Sequence, residues 1–385
     1  MKIAGTLLVL GYSLTLSITL SIAGIATAQA SCSDPATHRV DWFECNLSNR
    51  SFANADLSNA NLAAADLRGA DLRGANLSGA TLTGAKLSGS QLQRITLDHA
   101  DLRFADLSES DLRESNLIGA NLSDTNLRRA RLDGSRLSGA ILTGAKLNHA
   151  SLRDAILERA NLTNADLTNA SLVAVQLRQS NLSSATLVSV NLSQADVTQS
   201  NLAWANLNWS NLSSSNFSGS NLASASLQQT IIKWANLAYT NLANARLDQA
   251  TVTGSNFSNS NLNGTQLRNA TLRWVDFSNS NLEAADLRGI DAAANHVVKR
   301  TSFANSNLRE AKLDEANLAG VDLRDAQLSS ASVKGVEWEG AMLEGAQWLN
   351  GKRCFGPSIG SCSVNPPKRV RPKPLVIPVS PDQLQ

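Results

Sequence analysis

The chain has 385 residues, in which 34 Lys and Arg nearly cancel 32 Asp and Glu, for a formal charge of +2. So even a balance excludes a surface of one dominant sign, the kind that mimics or grips a charged polymer along its whole length. The four cysteines are an even count, and eight prolines are confined to the two ends of the chain.

Residues 1–30 read as a secretory signal peptide. Lys2 supplies a basic start, Ile3 to Ile25 is mostly apolar with Leu7-Leu8-Val9-Leu10 inside it, and Ala28-Gln29-Ala30 is a small-x-small cleavage site. This predicts a mature N terminus at Ser31 and export to the periplasm, an equivalent lumenal compartment or the cell exterior; a retained membrane anchor is the alternative. Gln29 stands where a lipid-attachment motif needs Leu, which argues against anchorage through Cys32. No segment of the mature chain is apolar enough to span a bilayer.

Residues 31–45 form a short N-terminal cap. Cys32 and Cys45 lie at one end of the mature chain, Cys354 and Cys362 at the other, with no CxxC spacing and no nearby His to favour a metal. Paired by proximity in an exported protein, they predict two disulfides. Each closes a short loop and stabilises by about 2–3 kcal/mol.

From Leu47 to Leu287 every fifth residue is Leu, Phe, Val or Ile. From position 55 to 285 the residue two before each, as Ala65 before Leu67, is a small or modest one, and the other three positions are mostly Asn, Asp, Ser, Arg, Thr or Gly. An α-helix cannot bury this pattern, because a step of five residues drifts about 140° around it. A chain that turns inward twice in five residues closes into a square. Four repeats make one coil of about 20 residues, and coils stack through backbone hydrogen bonds at about 4.8 Å. The expected fold is an all-β solenoid over residues 46–349, with Leu67, Leu72, Leu77 and Leu82 as one inward residue per side. Reading the surface in steps of twenty gives Asp66, Lys86, Asp106, Asn126, Lys146, Asp166. That alternation predicts weak cross-coil ion pairing.

The phase breaks once, near residues 288–302. Phe303 follows Leu287 by sixteen residues, where fifteen keeps step. Ten more repeats run to Trp348, so the total is about 15 coils and a rod of about 70 Å. Trp42 and Phe43 before the first repeat, and Trp338 and Trp348 in the last inward slots, are expected to plug the ends, which otherwise expose strand edges. Residues 350–365 form a C-terminal disulfide loop. Residues 366–385 form a basic, Pro-rich tail of extended, disordered character.

Stretches such as Ala65-Asp66-Leu67-Arg68-Gly69-Ala70-Asp71-Leu72-Arg73-Gly74-Ala75-Asn76-Leu77-Ser78-Gly79-Ala80 are very similar to the A-(D/N)-L-X-X motif of the pentapeptide-repeat family, and the resemblance covers residues 46–349. It implies that the square tube is a right-handed quadrilateral β-helix. The segment from Trp348 to Cys362 also resembles a tail of other exported members. One branch of the family protects DNA gyrase by imitating duplex DNA. Here residues 31–350 carry 27 basic and 31 acidic side chains. Duplex DNA has one charge per ~1.7 Å, so a ~70 Å mimic needs on the order of forty.

No catalytic constellation is visible. His38, His99, His149 and His296 are scattered, and Ser and Asp abound because the repeat uses them. No cofactor and no metal are implied. Trp204, Trp209, Trp234, Tyr239 and Trp274 occupy the last, outward slot of their repeats. They mark either a partner or glycan surface or rings lying flat over turns. The expected function is a non-enzymatic exported scaffold for protein interaction. The alternative is a glycan or cell-envelope binding module using the aromatic residues. The expected partner is a protein or envelope component rather than a nucleic acid, with an end-to-end homodimer as a further possibility.

Overall fold

The computed structural model describes residues 31–294 and 299–365. The expected signal peptide, the basic tail and His296 lie outside the described residues.

One repeat shows how the tube is made. The Leu67 amide donates to Lys86 O in the next coil at 2.7 Å, and the Gly69 amide donates to Ser88 O at 3.2 Å. The Asp66 amide donates back to Cys45 O at 2.8 Å, and the Ala70 amide closes the corner on Leu67 O at 3.0 Å. Each repeat thus sends two backbone bonds forward, one back and one into its own turn. The fifth amide, that of Arg68, donates to the Asp66 side chain, so the coil-to-coil ladder is backbone alone while the turn uses one outward side chain.

The corner requires a left-handed residue in the last slot, and φ there is 65° at Gly69, 55° at Asn49 and 63° at Trp204. That geometry fits the third position of a type II turn, which explains the many Gly and Asn in this slot. Bridges run in parallel from Asp66 to Lys86 and from Lys86 to Asp106, and the same twenty-residue step links Asp41 to Asn61 near one end and Gln327 to Gln347 near the other.

Three segments extend into regular strands, β1 (Ile231–Lys233), β2 (Thr251–Thr253) and β3 (Thr271–Arg273), parallel and in the order β1-β2-β3. At the corner after β1 the Ala235 amide donates to Ser255 Oγ at 3.1 Å, one coil on.

Leu67, Leu72, Leu77 and Leu82 are at most 1% exposed and define the four faces of the tube. The small slot is equally buried, because a large side chain there would stop the corner closing. Where it holds Ser, the hydroxyl donates to a carbonyl of its own repeat, as Ser90 Oγ to Leu87 O at 2.6 Å, or of the preceding coil, as Ser210 Oγ to Leu187 O at 2.7 Å. The Leu77 face replaces Leu with Phe in most of its later coils, and the rings pack together, Phe257 tilted against Phe277 at 5.1 Å and Phe277 stacked on Phe303 at 4.9 Å.

The phase break is confined to one coil. Asp276 pairs with Ser302 and Asp291 with Asn317, a step of 26, and Ser302 to Asp322 is again 20. Ala292 keeps the inward slot at 0% exposure and Thr301 the next small slot at 1%. The six residues beyond a plain coil therefore fall between Ala294 and Thr301 in the chain, and the ladder is intact on both sides of them.

At the N-terminal end Trp42 is fully buried, 5.0 Å from the Phe52 ring, beside the Cys32–Cys45 disulfide. Phe43 does not join it. It is 46% exposed, because it follows the inward slot and so points out. At the other end Trp338 and Trp348 meet at 5.4 Å and are half-buried against the core. The loop closed by Cys354–Cys362 folds back antiparallel on the last coil, pairing Ile359 with Met342 and Arg353 with Gln347. It offers carbonyls to that coil's forward-pointing amides: Leu343 N donates to Ser358 O at 2.8 Å and Gly345 N to Cys354 O at 2.9 Å.

Candidate interaction surface

The inward slots are filled, so the side chains open to contact are those at three outward positions per repeat. The residue before the inward Leu is often Asp or Asn, and its side chain bends toward the following turn. Asp66 Oδ1 accepts the Arg68 amide at 3.2 Å and the Arg68 Nε at 2.9 Å. The same pairing recurs at Asp71–Arg73, Asp101–Arg103 and Asp322–Arg324. This revises the expected alternation along columns. Asp66 takes its strongest partner within its own repeat, because the local turn bond already aims its carboxylate there. Cross-coil pairs form where long side chains occupy corners or flanks, as at Arg94–Glu114 and Arg178–Glu158.

Asp286 is the most enclosed of these carboxylates. Burial works to raise its pKa, but hydrogen bonds from Arg288 and Arg268 outweigh this and hold it far below the usual carboxylate range. Arg268 Nε reaches Oδ2 at 2.6 Å, and Arg288 takes both oxygens at 2.9 and 2.7 Å.

The twenty-residue coil distributes the aromatic residues around the tube instead of gathering them. Trp204, Trp209 and Tyr239 stand on three different corners, and Trp234 and Trp274 share the fourth, the corner of Gly254 and Ala294. Trp234 lies flat over Gly254, where an added Cβ would come within 2.2 Å of its ring. Trp274 is only half-buried rather than freely exposed, because its ring lies 6.1 Å from that of Trp234 and Lys299 Nζ sits 5.4 Å from both ring centres. Trp209 Nε1 donates to Gln229 Oε1 at 2.6 Å. Trp204 and Tyr239 remain the most open, at 70% and 68% exposure.

His99 and His149 occupy left-handed corner slots, at φ 55° and 60°. The His99 ring lies over Gly119. Among the described residues no group of three or more His, Cys, Asp or Glu is placed to hold a metal ion, and no helix is long and apolar enough to cross a membrane.

The sequence model of the family described as Pentapeptide repeats (8 copies) matches in overlapping segments from residue 43 to 291 and again over 301–337. The chain belongs to the pentapeptide-repeat family. The fold is accordingly the right-handed quadrilateral β-helix of pentapeptide-repeat proteins. Among solved structures, the solenoid is similar to HetL, a pentapeptide repeat protein involved in heterocyst differentiation regulation from the cyanobacterium Nostoc sp. strain PCC 7120. Identity is 29% over 68% of this chain and 91% of HetL, with a TM-score of 0.22. It is also similar to QnrB1, a plasmid-mediated fluoroquinolone resistance protein, at 19% identity over 48% of this chain and 87% of that one, TM-score 0.34. A third similar structure is a pentapeptide repeat protein from the Arabidopsis thaliana thylakoid lumen, at 27% identity over 32% of this chain and 69% of that one, TM-score 0.16. No curated protein matches the chain.

Proposed function

We propose that this pentapeptide-repeat protein is an exported, non-enzymatic scaffold whose long surface docks a partner protein or envelope component. The observation that carries the reading is the division of labour within the repeat. Backbone bonds such as those of Leu67, Gly69 and Asp66 carry the coil-to-coil ladder and inward residues fill the core, so most outward side chains are free to be chosen for contact. Two disulfides and no free cysteine support an oxidising destination. The near balance of 27 basic and 31 acidic residues over 31–350 speaks against a gyrase-type DNA mimic.

The test is to express the full chain in a cell that exports it, determine the mature N terminus and thiol state, and cross-link from a photoreactive residue placed at Trp209. A chain starting at Ser31, with no free thiol and one discrete cross-linked partner, is expected. A full-length reduced chain in the cytosol would remove the export claim, and absence of any specific cross-link from positions on all four faces would remove the scaffold claim.

A further inference from the structure

One face of the tube differs from the other three. Between Asn121 and Asn263, the outward positions flanking the inward residues of the Leu82 face hold Asn, Ser, Thr, Ala and one Ile, with no charged side chain. Over the same stretch the other faces carry Lys146, Arg153 and Arg178 among others. From Gln179 to Gly264 the two corners bordering this face are uncharged as well. The three most exposed aromatic side chains, Trp204 (70%), Tyr239 (68%) and Phe104 (63%), all stand on those two corners. Trp204 and Tyr239 lie on opposite edges, two coils or about 10 Å apart along the axis.

The hydrogen bonding of the face is one-sided. Asn241 Nδ2 donates to Asn221 Oδ1 at 3.0 Å, and Asn221 Nδ2 to Asn201 Oδ1 at 3.1 Å. Each of these oxygens also accepts an amide from its own turn, Ala223 N on Asn221 and Ala203 N on Asn201, both at 3.2 Å. A carboxamide oxygen accepts two bonds and its nitrogen donates two. Acceptor capacity is therefore spent, while one N–H per coil has no partner among the described residues. The face presents a row of donors spaced at about 4.8 Å.

From this we propose that the Leu82 face binds an uncharged linear polysaccharide lying along the tube axis. Its hydroxyl and ring oxygens meet the Asn donors, and its sugar rings pack on Trp204 and Tyr239. The absence of charge selects against an acidic polymer. A second copy of the same face would set donors against donors. An extended peptide shows carbonyls to one side only every two residues, about 6.7 Å, and slips out of step with the coils, whereas a pyranose unit in a linear glycan spans close to one coil. The proposal rests on the exported-scaffold reading and names the partner of one face.

The experiment is affinity electrophoresis of the mature chain through gels carrying hydroxyethylcellulose, xylan, mannan or dextran, with carboxymethylcellulose as the charged counterpart. Retardation by at least one neutral polymer, and weaker retardation by the charged one, is expected. The paired variant Trp204→Asn/Tyr239→Asn keeps residues suited to left-handed corners and should weaken binding by about tenfold or more. Asn221→Asp, which sets a charge at the centre of the face, should weaken it comparably. His149→Asn, at a left-handed position on another corner, should bind as the parent does. No retardation by any neutral polymer, equal binding by the Leu82-face variants, or loss of a self-associated state instead of glycan binding would each overturn the proposal. The cross-linking result above stands or falls separately, so failure of the glycan and failure of the scaffold are distinguishable.

Discussion

Asp286 shows what a single side chain contributes to a tube whose coils are already joined through the backbone. Its carboxylate joins two adjacent coils, accepting Arg268 from one and Arg288 from its own, and its side chain is only 8% exposed. Because its folded-state pKa is depressed, the stabilisation is fully present above the unfolded value near 3.9. It is lost as pH falls from there through the lower folded value. Asp286→Asn should therefore lower stability by about 2 kcal/mol at pH 7. In urea unfolding followed by circular dichroism, the gap from the parent should narrow steadily below about pH 4. A gap that is constant with pH would show that the ion pairs contribute nothing. This pairing was only partly legible in the sequence. The period of five separates inward from outward residues because core packing demands it. Nothing comparable constrains the outward ones, so whether Asp66 reaches Lys86 or Arg68 is decided by the local turn bond to the Arg68 amide.

At the scale of the coil, the insertion shows how the ladder tolerates disruption. Six extra residues separate Ala294 from Thr301, and the bridges on either side keep a twenty-residue step. A loop there costs mainly closure entropy, which grows slowly with length. Deleting residues 295–300 should preserve the far-ultraviolet spectrum and change stability by about 1 kcal/mol or less. It should also alter tryptophan emission, because Lys299 leaves the rings of Trp234 and Trp274. Collapse of the β signal after the deletion would mean that the loop is part of the fold. The sequence showed a break of phase but not its corner; counting in twenties from Trp274 to Ala294 would have placed it on the Trp234 corner. The same counting exposes the uncharged Leu82 face, which the single column through Asp66 does not reveal. It also disperses the aromatic residues that proximity in sequence had suggested were one patch.

For the whole molecule, stability is collective. Ordering five residues costs on the order of 5–10 kcal/mol of backbone entropy, and one buried Leu returns about 1.5–3, so neighbouring coils hold one another. The last coil has a neighbour on one side only, and the loop closed by Cys354–Cys362 stands in for the other. A chain ending at residue 350 should form growing assemblies detectable by light scattering, whereas one ending at residue 365 should stay as disperse as the full chain. Equal behaviour of the two would show that the loop does not protect the edge.

Two backbone bonds run forward for each one that runs back, so the peptide dipoles do not cancel along the axis. Stripped of its caps, the tube would show mostly N–H groups at its C-terminal rim and mostly C=O groups at its N-terminal rim. The rod therefore has a direction, electropositive at one end and electronegative at the other, much as a helix does. Backbone complementarity at bare ends would join head to tail, building a filament rather than a closed pair.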